Sequence, residues 1–202
     1  MHIAHLDDSP VLKIGTIWKA KAPLELLYLF ARSFTRDELS RFFAAAQAIL
    51  VKPDPALELM PDQRWMASVY GKVREESGIV IDSITDSLAK LSVFAENNND
   101  ERISSRVDGL VRTLLEDADG DRWLSLSGVL RELAEASPEL FLRAVEGSLQ
   151  RDDAPIRRLF TENSGDAVFG RSWHVDLLWA LETLAWSPKY LGRVADVLAQ
   201  LV

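Results

Sequence analysis

The sequence predicts an all-α protein built from stacked antiparallel helical hairpins, of the HEAT/TPR-like α-solenoid kind or an irregular helical bundle. Three observations carry this. Apolar residues recur at helical spacing along most of the chain. Helix start signals punctuate it at Pro23, Thr35, Pro61, Pro138 and Pro188. The last third also repeats itself. WLSLSGVLRELAEASPELFLRAVEGSLQ from Trp123 aligns without gaps onto WHVDLLWALETLAWSPKYLGRVADVLAQ from Trp173, a shift of 50 residues. Trp123 falls on Trp173, Glu132 on Glu182, Ser137-Pro138 on Ser187-Pro188, Arg143 on Arg193 and Gln150 on Gln200.

The physics of the repeated unit is a helical hairpin. A first helix stops at Ala136 or Trp186. Serine then caps, and proline takes the first position of a returning helix with its φ already set. Stacked units of this type form solenoids, whose end repeats usually carry a polar outer face. A linker over 151–171, with a short helix near Ile156 to Phe160, stretches the spacing.

Taken in order, residues 1–21 form an extended arm or short strand. VLKIGTIWK places Leu12, Ile14, Thr16 and Trp18 on one side of an extended chain. One strand alone forms no sheet, so this arm is expected to lie across the helices or pair elsewhere. Residues 22–202 form a single helical-repeat domain. Its predicted helix pairs are 22–51, 62–94, 122–150 and 172–202, with an extra helix at 102–116. Thr35 and Glu38 have capping-box spacing. Lys52-Pro-Asp-Pro55 ends the second helix. Pro61-Asp62 starts another, with Trp65, Met66, Val69 and Tyr70 inward. Ser77-Gly78 serves as that pair's restart, Glu96 to Glu101 is a loop, and Asp117 to Asp121 is a turn.

Composition narrows the function. The chain has 202 residues, no cysteine and a net charge of −8. It therefore has no disulfide, thiolate metal site or cysteine nucleophile, and a cytoplasmic location is expected. The acidic balance disfavours nucleic acid. The segment from Val11 to Arg41 is the basic exception, suited to docking on acidic neighbours. Met1 to Pro10 lacks the apolar run of a signal peptide, and no stretch has the length of a membrane span.

Motif tests are mostly negative. Phosphate-binding glycine loops, HExxH and GxSxG are absent. Asp117-Ala-Asp119-Gly-Asp121 departs from a calcium loop, with Arg122 and Gly128 where glycine and glutamate belong. His2 and His5 lie near the N-terminus, and His174 is the third histidine. No metal and no cofactor are expected. The candidate binding residues are the Arg-Trp pairs that begin first helices, Arg64-Trp65 and Arg122-Trp123, with Arg171, Trp173 and His174. They would either line a groove or fill the seams between hairpins.

The strings LLWALETLAWSPKYLGRVADVLAQL, YLFARSFTRDELSRFF and RWMASVYGKVREESG resemble interior helical regions of large bacterial multidomain proteins, among them signalling NTPases of the STAND type. The resemblance spans most of the chain as a helical pattern, without a Walker motif. It implies an array that accompanies a nucleotide-binding domain in a longer protein.

The function expected is a non-enzymatic helical-repeat segment that serves as scaffold, sensor or protein-interaction surface in a larger cytoplasmic protein. The final helix is broadly apolar through Tyr190, Leu191, Val194, Val197, Leu198, Leu201 and Val202, with no polar outer face. Its expected cover is a protein partner, further repeats of the same chain, or another copy in a homo-oligomer. One alternative is an enzyme with an acid-based site between hairpins, using acids such as Glu132 and Glu182 or the Arg-Trp pairs. A second is a nucleic-acid-binding solenoid.

Overall fold

The computed structural model describes residues 9–15, 17–162 and 172–201. The protein is all-α, with one small β-hairpin at its start. Strands β1 (Val11–Ile14) and β2 (Ile17–Ala20) pair antiparallel, Val11 opposite Ala20 and Ile14 opposite Ile17. The expected single strand is thus two. Gly15 sits at φ 60°, and that left-handed backbone, cheap for glycine, reverses the chain within VLKIGTIWK.

Helix α1 (Pro23–Phe30) opens on its proline and continues through a 3-10 turn at Ala31–Ser33. Helix α2 (Arg36–Leu50) has the full capping box. Thr35 Oγ1 accepts the Glu38 amide at 3.2 Å, and Glu38 Oε2 accepts the Thr35 amide at 2.8 Å. Those hydrogen bonds from Thr35 hold the Glu38 carboxyl below its usual range.

The region from 52 to 77 overturns the expected helix from Pro61. It consists of turns with two 3-10 segments, Pro55–Glu58 and Pro61–Met66. Pro53, Pro55 and Pro61 withhold amides, and Gly71 at φ 67° turns the chain again. The 3-10 run ends at Met66, and Val69 and Tyr70 lie in turns beyond it, so Trp65, Met66, Val69 and Tyr70 do not gather on one buried stripe. Trp65, Val69 and Tyr70 are instead exposed, Val69 to 78%.

Ser77 caps α3 (Gly78–Asn98), which runs through the first half of the expected loop at 96–101. Asn99 ends it at φ 51°, a conformation asparagine tolerates, and Asp100 caps α4 (Glu101–Leu115) at once. The helix expected as an extra is therefore the return arm of a hairpin with α3. This corrects the predicted 62–94 pair: residues 62–77 supply no α-helix, and α3 pairs forward.

Asp119 caps α5 (Gly120–Leu126), and a 3-10 step at Ser127–Val129 leads into α6 (Leu130–Ala136). Pro138 starts α7 (Pro138–Gln150). A 3-10 turn at Pro155–Arg157 and the short α8 (Arg158–Thr161) follow. The chain finishes with α9 (Val175–Ala185) and α10 (Pro188–Leu201).

Packing arranges these helices in two rows. Helix α1 packs on α3, α3 on α6, and α6 on α9. Helix α2 packs on α4, α4 on α7, and α7 on α10. The hairpins α3–α4, α6–α7 and α9–α10 join the rows. Between them lies one continuous apolar core that includes Leu88, Phe94, Ile103, Val111, Leu133, Phe141 and Leu181, all nearly or fully removed from solvent. Among the described residues no helix is long and apolar enough to cross a membrane.

Candidate interaction surface

The residues singled out in the sequence fall in four places. Trp123 and Trp173 are buried, at 0% and 4% exposure, so they fill the interior. Trp65 lies half exposed on the irregular segment. Arg122 reaches back to α2, donating to the carbonyls of Leu50 at 3.3 Å and of Val51. It caps the carbonyl end of that helix, where a cation is favoured by the aligned peptide dipoles. His174 stacks on Phe160, with ring centroids 5.3 Å apart. Arg171, His2 and His5 lie outside the described residues.

Arg64 is brought to a partner that spacing did not suggest. Its guanidinium pairs with Glu162, and both side chains are about nine-tenths buried. Arg64 also donates to the Leu59 carbonyl at 3.1 Å. Arg158 then joins Glu162 at 3.0 Å to Asp121 at 2.5 Å. Burying such a pair is tolerated only with its hydrogen bonds met, which these contacts achieve. The chain Arg64–Glu162–Arg158–Asp121 pins the irregular segment and α8 to α5. Gly120 makes room for it, because a Cβ there would collide with the Arg158 side chain. Each member is occupied by another, so the cluster is a fastener.

The other recesses are modest. An apolar one of about 340 Å³ lies between α1, α2 and α3, lined by Leu27, Phe34, Leu39, Phe42 and Leu91. Lys90 and Asp86 at its rim pair with each other. The acids weighed for catalysis do not form a dyad in isolation: Glu132 pairs with Arg131 at 2.9 Å, and Glu182 is exposed.

The surface that stands apart is the far end of the stack. The 50-residue sequence offset makes it measurable, because it sets each residue of α9–α10 against one in or beside α6–α7. Val129, Ala136, Phe141, Val145 and Ser148 are buried, none above 5% exposed. Helix α9 packs on α6 and on the 127–129 turn, while α10 and the 155–157 turn pack on α7. Ser148 Oγ accepts the Ile156 amide at 3.0 Å within that cover. The counterparts are Trp179, Trp186, Leu191, Ala195 and Leu198. All five are exposed, with Trp186 at 82% and Leu191 at 54%. Spacing of 191, 195 and 198 puts them on one stripe of α10. Glu182 is exposed on the same side of α9 as Trp179 and Trp186.

Charge separates the two rows as well. The helices α1, α3, α6 and α9 carry eight carboxylates against only Lys90 and Arg131. A nucleic-acid backbone would be repelled from that row. Arg193 bridges the last two hairpins, with Nε 2.7 Å from Glu146 and Nη1 3.0 Å from Glu139. These carboxylates hold its guanidinium protonated beyond the ordinary arginine range. No family, no curated protein and no solved structure matches the chain.

Proposed function

We propose that this chain is a non-enzymatic helical-repeat module, of α-solenoid character, that docks protein through the α9–α10 end of its stack. One observation carries the reading. Positions that are buried in the first repeat copy are exposed, large and apolar in the second, with Trp186 in place of Ala136 and Trp179 in place of Val129. A solvated surface has no use for two tryptophans and two leucines in one patch, whereas interface centres favour such anchors. A scaffold or sensor role in the cytoplasm, within a larger multidomain protein, agrees with this reading and with the absence of cysteine.

A photoactivatable phenylalanine at Leu198, introduced into the full chain in cells, tests it. Adducts with protein are expected from that position and not from Ser83, an exposed site on α3. Adding Trp186→Lys should abolish them. Adduct formation that is absent, or equal at both positions, overturns the proposal.

A further inference from the structure

We infer that the recess between the N-terminal parts of α2 and α4 is a binding site for a phosphomonoester dianion. The inference is independent of the docking reading, because the site lies at the other end of the stack and takes a different ligand.

Helices α2 and α4 pack side by side, and residues near the start of both line one recess of about 410 Å³. Arg36 is the first residue of α2, and Arg102 and Arg106 lie in the first two turns of α4. Three arginines therefore border the recess, together with Ser105 and the apolar Leu39. Both helices begin here, so the positive ends of their peptide dipoles add to the field of the arginines. Arg36 is exposed, and its side chain makes no ion pair or hydrogen bond among the described residues. Arg106 is held in place. It donates to Ser40 Oγ at 3.0 Å and lies over the Phe43 ring, 6.0 Å from its centre. A guanidinium has several N–H donors, so Arg106 retains most of its own for a ligand.

Carboxylates stand near, at Asp37, Glu38, Asp100 and Glu101, and none of them lines the recess. Glu38 accepts from Thr35 and borders the apolar recess on the other flank of α2. Asp37 projects about 100° around α2 from Arg36 and is exposed. Glu101 lines a separate recess with Arg32 and Asn98. Asp100 is the competitor, since it holds Arg102 in a two-pronged bond at 2.7 and 3.1 Å. A ligand must therefore bring enough charge to draw on Arg102 as well as on Arg36 and Arg106. A phosphate monoester carries about −1.5 to −2 charge at neutral pH and three strong acceptor oxygens, which suits forked guanidinium donors. Its organic part has Leu39 to rest on. An extended nucleic-acid strand would instead run onto the surrounding carboxylates of a chain with net charge −8.

Isothermal titration calorimetry on the full chain tests this with inorganic phosphate, phenyl phosphate and a short phosphoserine peptide. Saturable binding of an ester is expected, tighter than that of inorganic phosphate. Phenyl phosphate ahead of the peptide assigns a free small ester as the source of the anion, and the reverse order assigns a phosphorylated protein segment. Arg36→Met and Arg106→Met keep helix-forming side chains, and each should weaken binding about tenfold or more, the scale of a lost charge-assisted hydrogen bond. Arg112→Met removes the same charge from an exposed arginine on the α7 side of α4 and should leave binding unchanged. Asp100→Asn keeps a side chain able to cap α4 and frees Arg102, so it should tighten binding a few fold. Circular dichroism verifies that each variant is folded. No saturable binding at concentrations to about 10 mM overturns the inference. So does inorganic phosphate that binds as tightly as both esters, or an equal loss in Arg112→Met, the mark of a general surface-charge effect. Folded Arg36→Met and Arg106→Met that bind like wild type overturn it too, as does Asp100→Asn that binds no tighter. A single-stranded oligonucleotide that binds more tightly than all three probes would make the patch a nucleic-acid contact and would equally overturn it.

Discussion

The hairpins α6–α7 and α9–α10 are close to a controlled experiment. They share the Trp…Ser-Pro…Arg pattern at a fixed offset, and both restart on Pro at the first helical position. Their environments differ. The first is enclosed on both sides, and its Phe141 and Val145 have no exposed surface. The second is enclosed on one side, and the positions equivalent to these stand in solvent. Local sequence thus shapes the hairpin, while the neighbour decides what a given position is worth.

The largest effect that could break this comparison is Phe141→Ala against Leu191→Ala. The first should cost about 3–5 kcal/mol in urea unfolding, as a cavity in an enclosed core does. The second, measured at low protein concentration, should fall within about 0.5 kcal/mol. Equal costs would mean that α10 is as enclosed as α7. Next in size is Gly120→Ala in the segment that leads into the first hairpin. Overpacking against Arg158 should cost about 1–3 kcal/mol, and a neutral result would show that the Arg64–Glu162–Arg158–Asp121 fastener shifts freely.

The arginine that recurs at the 50-residue offset sharpens the contrast further. Arg193→Met should cost about 1 kcal/mol, because its guanidinium makes a two-pronged bond to Glu146. Arg143→Met should cost a few tenths, because Arg143 pairs, among the described residues, with Glu139 at 3.6 Å along its own helix. High salt should shrink the Arg193 effect and leave that of Phe141 intact. The smallest change has the opposite sign. Gly192→Ala in α10 and Gly147→Ala in α7 meet open space, so each should stabilise by about 0.5–1 kcal/mol in thermal unfolding. A loss at Gly192 would reveal a close neighbour on the face described as open.

Much of the fold was legible because its signals are local. The capping box at Thr35, the proline starts at Pro138 and Pro188 and the short helix after Pro155 act within one turn of chain, and the structure has them where the sequence puts them. Ser137, expected to cap, instead makes no capping bond and donates its hydroxyl to Asp108 at 2.6 Å. Reading failed where an apolar spacing was taken as a helix without regard to its breakers. Trp65, Val69 and Tyr70 mimic a helical face, but three prolines upstream and Gly71 keep the segment irregular. The three asparagines at 97–99 read as a loop, although only Asn99 leaves the helix. The Gly15 turn was visible as a glycine within an alternating run, and its weight was missed.

The candidate surface divides in the same way. The broad apolar face of the last helix was readable from composition, because burial demand is a property of the residues themselves. The Arg64–Glu162 pair was not, since it spans two segments 98 positions apart with no periodic signal. The sequence by itself determined the all-α class, the capping box at Thr35 and the helix starts at Pro138 and Pro188, all set by interactions within a few residues. Only the tertiary structure decided that α4 pairs with α3, that Trp123 is enclosed, and that Trp186 stands in solvent. Those outcomes depend on which distant helix arrives alongside, and no residue encodes that by its neighbours in the chain.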